Sequence, residues 1–274
     1  MPQPPRTAEL AHHLVDLSLD DAARIRALAR AIPDGGAVSR RTAALVHGFH
    51  LFGHREQSER IPLQCTIPRG AERVRRPGVQ SFTSTLRGDV VDLDGLPVTS
   101  IERTVLDIAR YCTPDVAIAM LDLSLRRGLW DREALLERVE EVRGDRGVGK
   151  ARYLIQAADP GAESPGESAC RLRLLDAGFD RPQTQILVPR GRGRHFRLDV
   201  GWEDLLLAVE YDGVEPHAGG EAYARDTRRR AWLSDQGWTV LVAHKGHVFG
   251  TSTELQNAVG EILGVAPRTR RRLW

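Results

Sequence analysis

The sequence predicts an α+β protein: a mainly helical N-terminal module holding a small β-sheet, followed by a C-terminal core in the order αβββαβ. Three observations predict it. The chain has 274 residues, more than the 100 to 150 or so that one hydrophobic core usually organises. The segment ADPGAESPGES at 158–168 gathers the small and turn-forming residues of an interdomain boundary, which sets modules at 1–158 and 159–274. Past that boundary the pattern changes from helical spacing to the short strand cores QILV, FRLDV, LLLAVEY and TVLVA.

Each element has its own local reason. A first helix is expected at about 21–32; after PDGG at 33–36, Ser39 is placed to cap a second that closes near Gly48. From Leu63 to Val98 short apolar runs alternate with Gly, Pro and Arg, and VVDLDGLPV at 90–98 reads as a hairpin with Asp94-Gly95 at its tip. Thr99-Ser100-Ile101-Glu102 has capping-box spacing, and Ile101, Val105, Ile108 and Ala109 continue at helical intervals. Helices follow at 114–127, stopped by Gly128, at 132–142 behind the cap Asp131, and at 149–158. In the C-terminal module a helix at 165–177 leads to strands at 184–188, 195–201 and 205–211, a helix at 220–236 and a strand at 238–243.

Composition narrows the functional classes. The 39 basic and 37 acidic side chains nearly cancel, so net charge gives no argument for nucleic-acid binding and any basic surface must be local. Lys150 and Lys245 are the only lysines; the arginines suit bidentate carboxylate or phosphate contacts. No apolar run approaches the roughly 18 residues of a membrane span, and the start MPQPPRTAEL lacks the segments of a signal peptide. A soluble cytoplasmic protein without membrane attachment is expected. Cys65, Cys112 and Cys170 are odd in number and far apart, so neither a disulfide framework nor a zinc knuckle is expected.

Three further motifs are weak. Gly144 to Lys150 fits GxxxxGK, but a helix precedes it and Ala151 stands where a magnesium-binding hydroxyl is required, so it reads as a turn between helices. His47, His50 and His54 lie close together, yet glycines interrupt any helix that would align them, and they read as surface or packing residues. The arginines of Arg268-Thr269-Arg270-Arg271-Arg272 read as a solvated tail, with phosphate contact as the rival reading.

A stronger constellation lies in the C-terminal module: Asp199 inside one strand, Glu210 and Asp212 at the end of the next, then His217. Alternation along the strand points Glu210 and Asp212 to one face. A turn at Glu203-Asp204 pairs positions that sum to 407, setting Asp199 opposite Ala208 and diagonal to Glu210, roughly 7 Å away at the backbone. Two carboxylates so placed repel and lose hydration, which a hard cation relieves. Mg²⁺ or Mn²⁺ suits such an oxygen site, lowers the pKa of bound water and polarises a phosphoryl oxygen; an imidazole at His217 is placed to move the proton. Incidental acids on a surface hairpin are the alternative.

These residues carry a resemblance. ESPGESACRLRLLDAGFDRPQTQ, FRLDVGW, LLLAVEYDGVEPH, and Asp226 with Arg229 ahead of LSDQGWTVLVAHKG resemble the Vsr-like branch of the PD-(D/E)XK nucleases over about 162–248. The resemblance implies a restriction-endonuclease-like core with Asp199 and Glu210 as metal ligands, and Asp212 and His217 near the place of the usual ExK lysine. This chain reads E-x-D there, so water activation falls to His217, to Lys245 or to the metal alone. Glu167 resembles an acid that many members carry on the first core helix; it also completes a capping box with Ser164, with Arg171 one turn on for an ion pair. Arg229 and Arg230 read either as DNA phosphate clamps or as helix ion-pair partners of Asp226.

VSRRTAALVHG and DGLPVTSIERTVLDIARY resemble AbiEi-type antitoxin proteins, which implies a winged-helix-like DNA-binding start and a cognate toxin as partner. Arg40 and Arg41, at the start of the second helix, are the candidate DNA contacts, with ordinary packing as the rival reading. The expectation is a divalent-metal DNA endonuclease with an N-terminal DNA-binding or regulatory module. Its alternative is a non-catalytic, AbiEi-type DNA-binding regulator or antitoxin that retains a nuclease fold.

Overall fold

The chain is an α+β protein. A computed structural model describes residues 18–50, 62–86, 88–191, 193–213 and 220–268. It divides into two compact units, one of Met1–Met120 with Arg127–Ile155, the other of Leu121–Arg126 with Gln156–Trp274.

In the first unit, helix α1 (Leu19–Ala29) begins earlier than expected because the Ser18 hydroxyl accepts the Asp21 N–H at 3.1 Å and Asp20 and Asp21 favour the positive helix end. Five strands form one sheet: β1 (Ala37–Val38), β2 (Leu63–Ile67), β3 (Val79–Thr83), β4 (Val90–Leu93) and β5 (Leu96–Thr99), in the order β3-β2-β1-β5-β4. The β4–β5 hairpin turns where expected, with Asp94 and Gly95 at φ 55° and 77°, the two left-handed positions of a type I′ turn. Two residues of β1 are too few to show a period in sequence. Val38, Cys65, Ile67 and Val98 of this sheet bury against Ile25, Leu28 and Val46 of α1 and α2 (Arg40–Val46).

The helical part comprises α3 (Ile101–Tyr111), α4 (Pro114–Arg126), α5 (Arg132–Glu141) and α6 (Val148–Ala157). Two expected caps are corrected. Ser39 makes no side-chain cap and instead accepts the Thr66 hydroxyl at 2.8 Å; the α3 cap is Ser100, which accepts the Arg103 N–H, while Thr99 bonds the Thr104 hydroxyl. Asp131 caps α5 as expected, accepting the Ala134 N–H at 3.0 Å. Lys150 lies inside α6 and donates to the Cys112 carbonyl, which commits the GxxxxGK motif to packing rather than phosphate.

The second unit begins with α7 (Pro165–Asp176), whose N-cap Ser164 accepts the Glu167 N–H and whose first turn carries proline. Strands β6 (Gln183–Pro189), β7 (His195–Trp202), β8 (Leu207–Asp212) and β9 (Thr239–His244) form a sheet in that order. The β8–β9 pair is parallel, so it requires a crossover, which α8 (Gly220–Asp235) supplies. Short helices α9 (Lys245–Phe249) and α10 (Glu254–Leu263) close the unit. One sheet face buries Val200, Leu207, Val209 and Ala243 against Ala169 and Leu174 of α7 and Val259 of α10. The other buries Ile186, Leu198 and Ala208 against Leu233 and Trp238. Among the described residues no helix is long and apolar enough to cross a membrane.

Candidate functional site

The β7–β8 hairpin turns through a 3₁₀ turn at Glu203–Leu205 with Leu206 in the left-handed region at φ 48°. Paired positions therefore sum to 409 (Val200 with Val209, Gly201 with Ala208), two more than expected, because the turn holds four residues rather than two. A shift of two preserves which face each residue takes. The strict alternation used to place Asp199 does not survive, however. Leu198 and Val200 flank it yet bury in opposite clusters, next to a kink in β6 where Gln185 takes φ 54°.

Asp199 nevertheless meets its expected neighbours. Its carboxylate accepts the Tyr211 N–H at 2.9 Å. Burial, reinforced by the nearby charges of Glu167 and Glu210, pushes its carboxyl from the ordinary 3.8 up to about 6, against the opposing pull of Tyr211 N–H and Arg229. Three carboxylates from α7, β7 and β8 thus share one electrostatic environment.

The cation in that environment is a side chain. Arg229, on α8, donates to both Glu210 oxygens, one at 2.7 Å through Nη1, the other through Nη2, and Nη2 also reaches the Arg197 carbonyl at 2.8 Å. The Glu210 side chain is only 12% exposed, so its carboxylate is held bidentately with little access to water. Glu167 is committed to its helix end: Oε2 accepts the Glu163 N–H at 2.9 Å and the Gln185 side-chain amide at 3.0 Å. Among the described residues no group of three or more His, Cys, Asp or Glu side chains is arranged to hold a metal ion. With Glu210 closed by a guanidinium and Glu167 bonded to an amide, the donor set does not fit Mg²⁺ or Mn²⁺, which needs several free oxygens about one point.

The remaining candidates fall in different places. Asp212 ends β8 in register with His244. His217 and the arginines at 270–272 lie outside the described residues, as does His54. Lys245 is exposed at the start of α9. His47 is buried, its ring bonded to the Thr99 carbonyl at 2.8 Å. Arg230 pairs with Asp226 at 2.6 Å, as i to i+4 spacing allows. Arg40 lies between the Phe82 and Tyr111 rings, 3.4 and 3.9 Å from their centroids, where burial lowers its pKa and the Asp107 charge opposes the shift. The Arg41 N–H donates to the Gln64 side chain at 3.0 Å.

One ion pair is corrected. Arg171 does not pair with Glu167; it is fully buried and holds Asp122 through two contacts of 2.9 and 2.8 Å and the Ala157 carbonyl at 2.6 Å. Asp122 was missed because it stands 49 residues away, where no local spacing links the two. In the first unit, the segment SIERTVLDIARY supplies a comparable buried set. Arg103 contacts Asp89 at 2.9 Å and Asp107 at 3.1 Å, and Arg138 reaches the other Asp89 oxygen.

Residues 36–157 match the family model described as the AbiEi antitoxin C-terminal domain, which spans both N-terminal segments that carried that resemblance. Two uncharacterized proteins of Mycobacterium tuberculosis, from strains CDC 1551 / Oshkosh and ATCC 25618 / H37Rv, are each 37% identical over 149 residues, 54% of this chain and 55% of the relative. The chain therefore spans about half the length of the curated relatives it matches. No solved structure matches it. Nothing in these comparisons points to a Vsr-like nuclease.

Proposed function

We propose that this protein is a non-catalytic DNA-binding regulator of the antitoxin type, acting in the cytoplasm, in which the first unit engages a cognate toxin or other protein partner. The reading is carried by Arg229, whose guanidinium takes both oxygens of Glu210 at the point where a nuclease needs an open carboxylate. It is supported by the antitoxin-family match over 36–157 and by Asp212 standing where the resemblance implies a lysine.

The endonuclease reading keeps one observation in its favour, the convergence of Asp199, Glu167 and Glu210. A nicking assay separates the two. Parent protein and Glu210→Ala are incubated with plasmid and mixed oligonucleotide DNA in Mg²⁺ or Mn²⁺, and binding is followed in parallel. The expected result is that neither cleaves while both bind in a salt-sensitive way. Metal-dependent cleavage by the parent that Glu210→Ala abolishes would restore the endonuclease.

A further inference from the structure

The arginines singled out as phosphate clamps already have carboxylate partners, Arg229 the part-buried Glu210 and the exposed Arg230 its helix neighbour Asp226. Arg190, Arg225 and Arg228 face solvent beside them. A cleft of about 540 Å³ in the second unit is lined by Arg190, Phe196, Arg225, Asp226, Arg228 and Arg229. Four of its six lining residues are guanidinium bearers, and its one carboxylate, Asp226, is already paired with Arg230.

The cleft is also partly organised in advance. The Arg190 guanidinium stands 4.0 Å from the centroid of the Phe196 ring and 5.5 Å from that of Trp232, and those two rings pack edge to face at 5.4 Å. Stacking of this kind holds a guanidinium in a defined plane and leaves its N–H edge outward, so less side-chain entropy is lost when it grips an anion. Arg225, Arg228 and Arg229 follow i, i+3, i+4 spacing along one side of α8, and Arg190 stands beyond the end of β6. A single phosphate is too small to meet cations set on two elements around such a volume. A repeating phosphodiester backbone meets them in succession.

We propose that this cleft is the DNA-backbone site of the second unit, with Arg190 and Arg228 as phosphate contacts and Arg229 as the fixed post behind them. The site rests on the DNA-binding part of the regulator reading. It assigns positioning on the duplex rather than base recognition, because guanidiniums aimed at phosphates carry no sequence information.

The test uses the full chain and a fluorescently labelled 20-base-pair duplex, with anisotropy measured across a NaCl series. Arg190→Ala/Arg228→Ala is compared with the parent and with Arg152→Ala, which removes one arginine paired with Glu140 in the other unit. Both cleft arginines are exposed, and unchanged melting confirms that the variants fold. The expected result is a slope of log K against log salt shallower by about 2 and an affinity at least tenfold lower in the double variant, with Arg152→Ala unchanged. A parent that binds with a slope and affinity the double variant fully retains would overturn the cleft and leave the regulator intact. A parent that fails to bind DNA even at low salt would overturn both. Tighter, cleft-dependent binding of the same sequence as RNA would overturn the assignment to DNA.

Discussion

At Asp199 opposing forces meet, and burial outweighs the groups that favour the charged form. Burial and two neighbouring carboxylates favour its neutral form, while the Tyr211 N–H and Arg229 favour the charged one, leaving a carboxyl that titrates near 6 rather than 3.8. The folded state therefore binds a proton that the unfolded chain releases between those values. Stability from this group rises as pH falls from about 6 toward 4, and its ionisation is a standing cost above 6. Asp199→Asn keeps an oxygen for the Tyr211 N–H and removes the charge. Thermal melts from about pH 3 to pH 8, which bracket the ordinary value of 3.8 and the shifted one of about 6, should show the variant more stable than the parent at neutral pH and less responsive between those two values. An unchanged pH profile would show that burial and the neighbouring charges do not hold the Asp199 carboxyl above its ordinary range.

At the scale of elements, the seam between α7 and β8 depends on an absent side chain. Gly166 lies in the first turn of α7, where alanine is the better helix former, yet a Cβ there would come within 1.9 Å of the Tyr211 ring. Gly166→Ala should therefore lower stability by about 1–3 kcal/mol despite its helical advantage, read from urea unfolding. A gain in stability would mean that Tyr211 moves aside freely. The sequence placed both elements well, because Ser164-Pro165-Gly166-Glu167 is a local helix start and LLLAVEY a local strand core. It did not show why Gly166 is glycine, since the ring that excludes a Cβ belongs to a strand far along the chain. The register of β7 and β8 went astray for a related reason: turn length is set by backbone conformation at Leu206, which is not a residue that announces a left-handed φ.

At the scale of the molecule, the second unit includes the last turns of α4, residues 121–126; Asp122 joins them to it, and Arg126 adds a bond to the Ala162 carbonyl at 2.6 Å. Asp122 and Arg171 are 1% and 0% exposed at the side chain, and the Asp159 N–H also donates to Asp122 at 2.7 Å. Removing one partner leaves a desolvated charge, so Asp122→Ala should cost about 3–5 kcal/mol, whereas Asp122→Leu with Arg171→Met should recover most of it. Chemical denaturation of the single and double variants measures the difference. Equal losses in both would show that shape rather than charge governs the site. A division of the sequence at 158/159 parts these two residues, because composition marks where a linker bends and is blind to which helix end packs across it.

Periodicity, caps and turn residues were enough to determine the α+β class, the order of the C-terminal elements and the β4–β5 turn, since each of those is a local preference of the chain. They also brought Asp199 and Glu210 under suspicion as acids in apolar strands, while Glu167 was implied by the nuclease resemblance. Only the tertiary structure decided what those acids face. The partner of Glu210 arrives from α8, 19 residues on, and whether a guanidinium or open solvent stands before a carboxylate is a matter of packing between elements, to which local sequence preference is indifferent.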